Sequence, residues 1–148
     1  MTSYLKDRRG SFVPVEEVGF TPSNPRHVEG AIELEINGVT ILDKELWDDV
    51  DQLWAYIVTA ICELRAKGEG STSFPDQPID LTFRRIEGGR VLVTLRSGTI
   101  GQRKATVDES ELTTALQTAA RAFLSRLIGL IPKNRLVYEA TASDIQWD

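Results

Sequence analysis

Histidine and cysteine each occur once in this chain, as His27 and Cys62, and the only methionine is the first residue. A lone thiol cannot close an internal disulfide, and no His or Cys spacing fits a zinc site. Asp48, Asp49 and Asp51 lack the loop geometry of a calcium site, so no metal ligand is predicted. General acid and base catalysis draws mostly on His, and a nucleophile needs a base beside it. His27 lies in a loop leading into a strand, far in sequence from Cys62, whose helical setting is apolar and reads as a buried structural thiol. No catalytic residue is predicted. Phosphate-cradling loops are missing too. Gly68-Glu-Gly-Ser-Thr72 and Ser97-Gly-Thr-Ile-Gly101 match neither a P-loop nor a dinucleotide fingerprint and read as turns, so no cofactor is expected. The longest apolar run, around Phe123 to Ile131, is broken by Ser125, Arg126 and Gly129, well short of the roughly 20 residues a membrane span needs. Lys6, Arg8 and Arg9 are followed by no apolar stretch, unlike a signal peptide, and a cytoplasmic protein without membrane contact is predicted.

What is present has the balance of a globular domain. With 148 residues, 41% of them hydrophobic and 26% charged, the chain can bury a sizeable core as one domain. Residues 1–27 contain Gly10, Pro14, Gly19, Pro22 and Pro25 and read as an arm with a short extended piece from Phe12 to Val18. Ile32, Leu34 and Ile36 then alternate with Glu33 and Glu35 before Asn37-Gly38, the signature of a hairpin with a type I′ turn. That register sets Ile36 opposite Val39, Glu35 opposite Thr40 and Leu34 opposite Ile41. Apolar residues at Trp47, Val50, Trp54, Ile57, Ile61 and Leu64 predict an amphipathic helix, capped by Asp43, stapled through Leu42 and Trp47, and ending near Gly68 or Gly70. Its buried face takes both tryptophans. Gly68 to Pro78 reads as a long loop anchored by Phe74.

A second hairpin surrounds Gly88-Gly89. A three-residue loop, Glu87 to Gly89, gathers Leu81, Phe83, Val91, Val93 and Leu95 on one face and Thr82, Arg84, Arg90, Thr94 and Arg96 on the other, which a two-residue loop would not. After a possible strand at Gln102 to Val107, Asp108 and Glu111 form a capping-box-like start for a helix whose apolar face runs from Leu112 to Ile131. The tail, 133–148, could add an edge strand at Leu136-Val137-Tyr138. The order of elements predicts a two-layer α+β fold, an antiparallel sheet of four to five strands with two amphipathic helices on one face.

Charge is uneven along the chain. Glu29 to Asp76 holds eleven acids against three bases, a net of −8, while Gln77 to Lys104 holds six bases against two acids, a net of +4. The polar face of the first helix carries Asp49, Gln52, Tyr56 and Glu63 around an aromatic with no core to fill, and these four residues are the candidate partner-binding set. An acidic surface of this kind attracts basic proteins over long range. The plainer reading is a solvated helix face that also favours the helix dipole, with Tyr56 covered by the loop or the tail. Arg84, Arg90, Arg96, Arg103 and Lys104 raise nucleic-acid binding, but a net charge of −5 and the lack of interleaved aromatics argue against it.

The strand Gly30-Ala-Ile-Glu-Leu-Glu-Ile-Asn-Gly38, the helix segment Leu53-Trp54-Ala-Tyr56 and the loop Phe74-Pro-Asp-Gln-Pro78 resemble small bacterial proteins of the immunity type that accompany secreted polymorphic toxins. The likeness covers roughly Gly30 to Ile131 and carries no functional residue across. It implies a cytoplasmic, non-enzymatic binding protein that blocks a basic toxin by occupying its active surface. Two other readings stand beside it: a homo-oligomeric structural domain, and a small-molecule-binding or enzymatic domain with a pocket near His27 between sheet and helices.

Overall fold

The computed structural model describes residues 1–147. Nine strands and three α-helices are present among them: β1 (Thr2–Lys6), β2 (Phe12–Pro14), β3 (Glu29–Ile36), β4 (Val39–Leu42), β5 (Asp48–Asp49), α1 (Val50–Lys67), β6 (Glu69–Ser73), β7 (Ile79–Ile86), β8 (Arg90–Ser97), β9 (Gly101–Asp108), α2 (Glu109–Leu130) and α3 (Arg135–Ser143). The α+β class with antiparallel strands is as expected. The strands form two sheets rather than one, ordered β2-β1-β3-β4 with β5 beside β3, and β6-β7-β8-β9.

The second hairpin has the predicted register, with Phe83 opposite Val93, Leu81 opposite Leu95, and Glu87 to Gly89 as its loop. Its apolar face is fully buried and supports α1 and α2, whose Trp54 and Phe123 rings lie 6.3 Å apart. Trp54 also reaches the first sheet, where its indole N–H donates to Ser3 Oγ at 3.0 Å, so its one polar atom is satisfied in the core. In the first hairpin Ile36 faces Val39 and Glu35 faces Thr40, but Leu34 pairs with Leu42 instead of Ile41. A bulge there adds one residue and lets Ile41 and Leu42 both enter the core.

Strands β4 and β9 bring the two sheets edge to edge without a backbone ladder. Asn37 Nδ2 donates to the Thr106 carbonyl at 2.7 Å, and Arg103 spans to the Ile41 carbonyl at 3.3 Å and the Asp43 carboxylate at 3.1 Å. Arg103 is therefore a tie between sheets and not part of an exposed basic face.

Four expectations are corrected. Residues Thr2–Lys6 do not belong to an arm: β1 sits between β2 and β3, with Ser3, Tyr4 and Leu5 buried. Two apolar residues in five gave no alternation to detect. Asp43 caps a short 3-10 turn, Lys44–Leu46, by accepting from Glu45 N at 2.9 Å, and the α-helix begins seven residues later at Val50. Leu46 fills the core position that periodicity assigned to Trp47, and Trp47 stays 36% exposed. The segment after Gly68, which ends α1 in the left-handed conformation, is no loop: β6 pairs with β7 from Glu69 to Ser73. Its small polar residues hide the strand, while Phe74 is buried as expected. Leu136-Val137-Tyr138 lies in α3 instead of an edge strand, with Tyr138 buried and Leu136 83% exposed. Trp147 is buried, and Asp148 lies outside the described residues.

Candidate functional site

The chain leaves the 3-10 turn extended, runs through β5 beside β3, and turns into α1 at Val50, whose N–H donates to the Val28 carbonyl at 2.9 Å. This bend places the start of α1, the 74–78 loop and the approach to β3 around one cleft of about 290 Å³. Glu29, Glu45, Asp49 and Asp76 supply carboxylates to its lining, and Trp47 supplies an aromatic wall. Glu29, Glu45 and Asp76 are exposed. Trp47 already holds one cation: Lys6 Nζ lies 3.9 Å from the centroid of its ring.

The cleft is held in shape by Asp48, which is buried to 2% exposure. Its Oδ1 accepts from Asp49 N at 2.7 Å, and its Oδ2 accepts from Asp76 N at 3.1 Å and Gln77 N at 3.0 Å. Gln77 returns a bond from Nε2 to the Trp47 carbonyl. Asp48 thus precedes the helix as a buried structural acceptor and adds nothing to the acidic surface. The available signal was the loop Phe74-Pro-Asp-Gln-Pro78, in which two prolines flank two N–H groups that need an acceptor.

Of the four candidate residues, Asp49 lines the cleft, with its Oδ2 3.2 Å from Nδ1 of His27. Gln52, Tyr56 and Glu63 follow along the outer side of α1, where Tyr56 is 41% exposed and the other two are half-buried. From Asp49 to Glu63 the helical rise makes a stripe about 21 Å long. Its acidity is weaker than the sequence count implies, because Asp48 is buried and Asp51 is engaged by the tail. Tyr138 OH donates to Asp51 Oδ2 at 2.8 Å, and Asn134 Nδ2 bridges Tyr138 OH at 3.1 Å and the Pro25 carbonyl at 2.7 Å.

Burial of Asp51 raises its pKa above the ordinary carboxylate value, outweighing the Tyr138 hydrogen bond that lowers it. Burial also raises the Tyr138 hydroxyl above the usual phenol value. Because the folded chain holds the Asp51 proton more tightly than the unfolded chain, this group's contribution is lost as pH rises through the folded value. Asp51 Oδ1 also accepts from Gln52 N at 2.8 Å, so Asp51→Asn removes the titrating group but sets its NH2 against one of the two donors, and we expect its stability at neutral pH to stay close to wild type. Urea melts across the acidic to neutral range should show a flatter pH dependence in the variant, and parallel curves would refute the assignment.

His27 and Cys62 are not brought together. Cys62 sits thirteen residues along α1 from Asp49, where its Sγ lies 3.5 Å from the Asp144 carbonyl and accepts from Trp147 Nε1 at 3.4 Å. The basic residues of the second sheet are charge-matched across strands: Arg84 stands opposite Glu69, Arg96 opposite Asp80 and Arg90 opposite Asp108. Near the α1 C-terminus Arg85 points to the helix side, where it pairs with Glu109 at 2.7 Å and donates to the Leu64 carbonyl at 3.2 Å. No helix among the described residues is long and apolar enough to cross a membrane.

Comparison with protein-family models, curated proteins and solved structures finds no match to the chain.

Proposed function

We propose that this chain is a non-enzymatic protein-binding module of the immunity type, which receives a Lys or Arg side chain of a basic partner in the cleft beside Trp47. The partner then continues along Asp49, Gln52, Tyr56 and Glu63. The observation that carries this reading is the pairing of an exposed tryptophan with four carboxylates at one end of α1 and an exposed tyrosine farther along it. Tryptophan and tyrosine are enriched at interface hot spots, and an aromatic wall ringed by carboxylates suits a long cationic side chain. The internal Lys6–Trp47 contact supports the same chemistry. The partner proposed is a toxin inhibited in the cytoplasm by occlusion of its active surface.

The test is copurification with the product of a toxin gene adjacent to the gene for this chain. Trp47→Ala combined with Asp76→Lys should weaken capture by about 30-fold or more, and Asp49→Lys with Tyr56→Ala and Glu63→Lys should weaken it further. Full capture by both variants, each folded by circular dichroism, would sink the assigned surface.

A further inference from the structure

A larger groove, about 1030 Å³, opens on the other side of His27. One wall is the turn after β1, Asp7 to Gly10, and the other is the segment from Phe20 to Asn24. Both walls are fixed by their own hydrogen bonds. Asp7 Oδ1 accepts from Arg9 N and Ser11 N, each at 2.9 Å, and Gly10 adopts φ of +83° to close the turn. Opposite, Asn24 Oδ1 accepts from Arg26 N at 3.0 Å, and His27 N donates to the Asn24 carbonyl at 3.2 Å.

The charges in this groove are unequally used. The Asp7 carboxylate is engaged by backbone N–H groups, and Lys6 turns its ammonium to Trp47. Glu29 is an exposed carboxylate that also lines the groove; against it stand Arg8 and Arg9, both exposed, and among the described residues neither guanidinium has a hydrogen-bond or ion-pair partner. This differs from the second sheet, where three arginines stand opposite acids. Two adjacent guanidiniums present a surplus of donors that exceeds what one carboxylate accepts and suits the three terminal oxygens of a phosphate. Thr21, Ser23 and the 66% exposed His27 ring add polar groups, while Phe20 is part-buried against the core and offers an apolar surface. The volume is of the order of ordinary small-molecule sites, roughly 300–1,000 Å³.

We propose that this groove binds a small phosphate monoester, its phosphoryl group between Arg8 and Arg9 and its organic part against Phe20. The groove shares His27 and Glu29 with the protein-binding cleft, but the proposal does not rest on the function assigned to that cleft.

Titration of the ¹⁵N-labelled full chain with phenyl phosphate and, separately, with inorganic phosphate tests it. Amide shifts should concentrate at Arg8 to Gly10, Thr21 to Asn24 and His27, and phenyl phosphate should bind more tightly than inorganic phosphate. Arg8→Ala with Arg9→Ala should weaken phenyl phosphate by at least about tenfold, while Arg84→Ala with Arg96→Ala, an equal loss of charge elsewhere, should leave it unchanged. Shifts scattered away from the groove, or equal weakening by both double variants, would overturn the site. Equal affinity for the two probes would overturn the ester and leave free phosphate as the ligand.

Discussion

Replacing Gly70 by alanine is expected to destabilise the fold by about 3 kcal/mol or more, a larger effect than most single methyl additions. A Cβ at this position would lie 1.9 Å from the Ala60 carbonyl oxygen, 2.9 Å from the Ala60 carbonyl carbon and 3.0 Å from Leu64 N. All three atoms are backbone, so no side-chain rotation relieves the clash. Either α1 lifts away from β6, or the strand leaves its pairing with Phe83 of β7. Lifting α1 disturbs Trp54, Ile57, Ile61 and Leu64, which are fully buried, and the Arg85 bond to the Leu64 carbonyl. Gly129→Ala is the matched control: it lies near the end of α2, exposed, with nothing within 4 Å of an added Cβ. There alanine should stabilise by roughly 0.5–1 kcal/mol through helix propensity. Urea midpoints followed by tryptophan fluorescence and circular dichroism measure both. Wild-type stability in Gly70→Ala would show that helix and strand do not approach this closely in solution.

Gly70 also marks where the sequence stops being readable. Periodicity exposed the elements whose apolar residues face one layer, namely the β7–β8 hairpin with its loop and register, most of α1, and α2 with its start at Asp108. Asp108 Oδ1 does accept from Ser110 N and Glu111 N, at 2.9 and 3.2 Å. It failed where tertiary contact supplies what local pattern lacks. Strand β6 needs small residues to pass beneath α1, so Gly-Ser-Thr-Ser resembles a loop. Strand β1 is too short to alternate, and α3 is tied to α1 by the Asp51–Tyr138–Asn134 chain, a tertiary contact that local pattern does not carry. The site suffered from the same blindness. Tyr56 was found because its exposure follows from helical spacing. The cleft was missed because it depends on Trp47 leaving the helix, and the pattern of six apolar residues fitted a helix that began just after Asp43, six residues early.

Asp48 decides that departure, and Asp48→Ala should therefore cost about 2–4 kcal/mol and damage the cleft as well. The carboxylate satisfies three backbone N–H groups, two of them in the 74–78 loop, and pairing of β5 with β3 at Gly30 holds it in place. Alanine leaves those donors without an acceptor, and the loop that carries Asp76 and Gln77 loses its attachment to the start of α1. Asp48→Asn keeps one acceptor oxygen but turns an NH2 group toward at least one N–H donor, so it should recover part of the loss and not all of it. Asp76→Ala, at an exposed position of the same loop, should leave stability within about 0.5 kcal/mol of wild type. Hydrogen exchange separates the effects: amides of Asp76 and Gln77 should exchange faster in Asp48→Ala while those of β7 and β8 stay protected. If both loop amides keep wild-type protection, Asp48 does not organise the cleft. If they lose it while the core holds, capture of a basic partner should fall in Asp48→Ala under conditions where the chain remains folded, which ties a buried carboxylate to the surface it shapes.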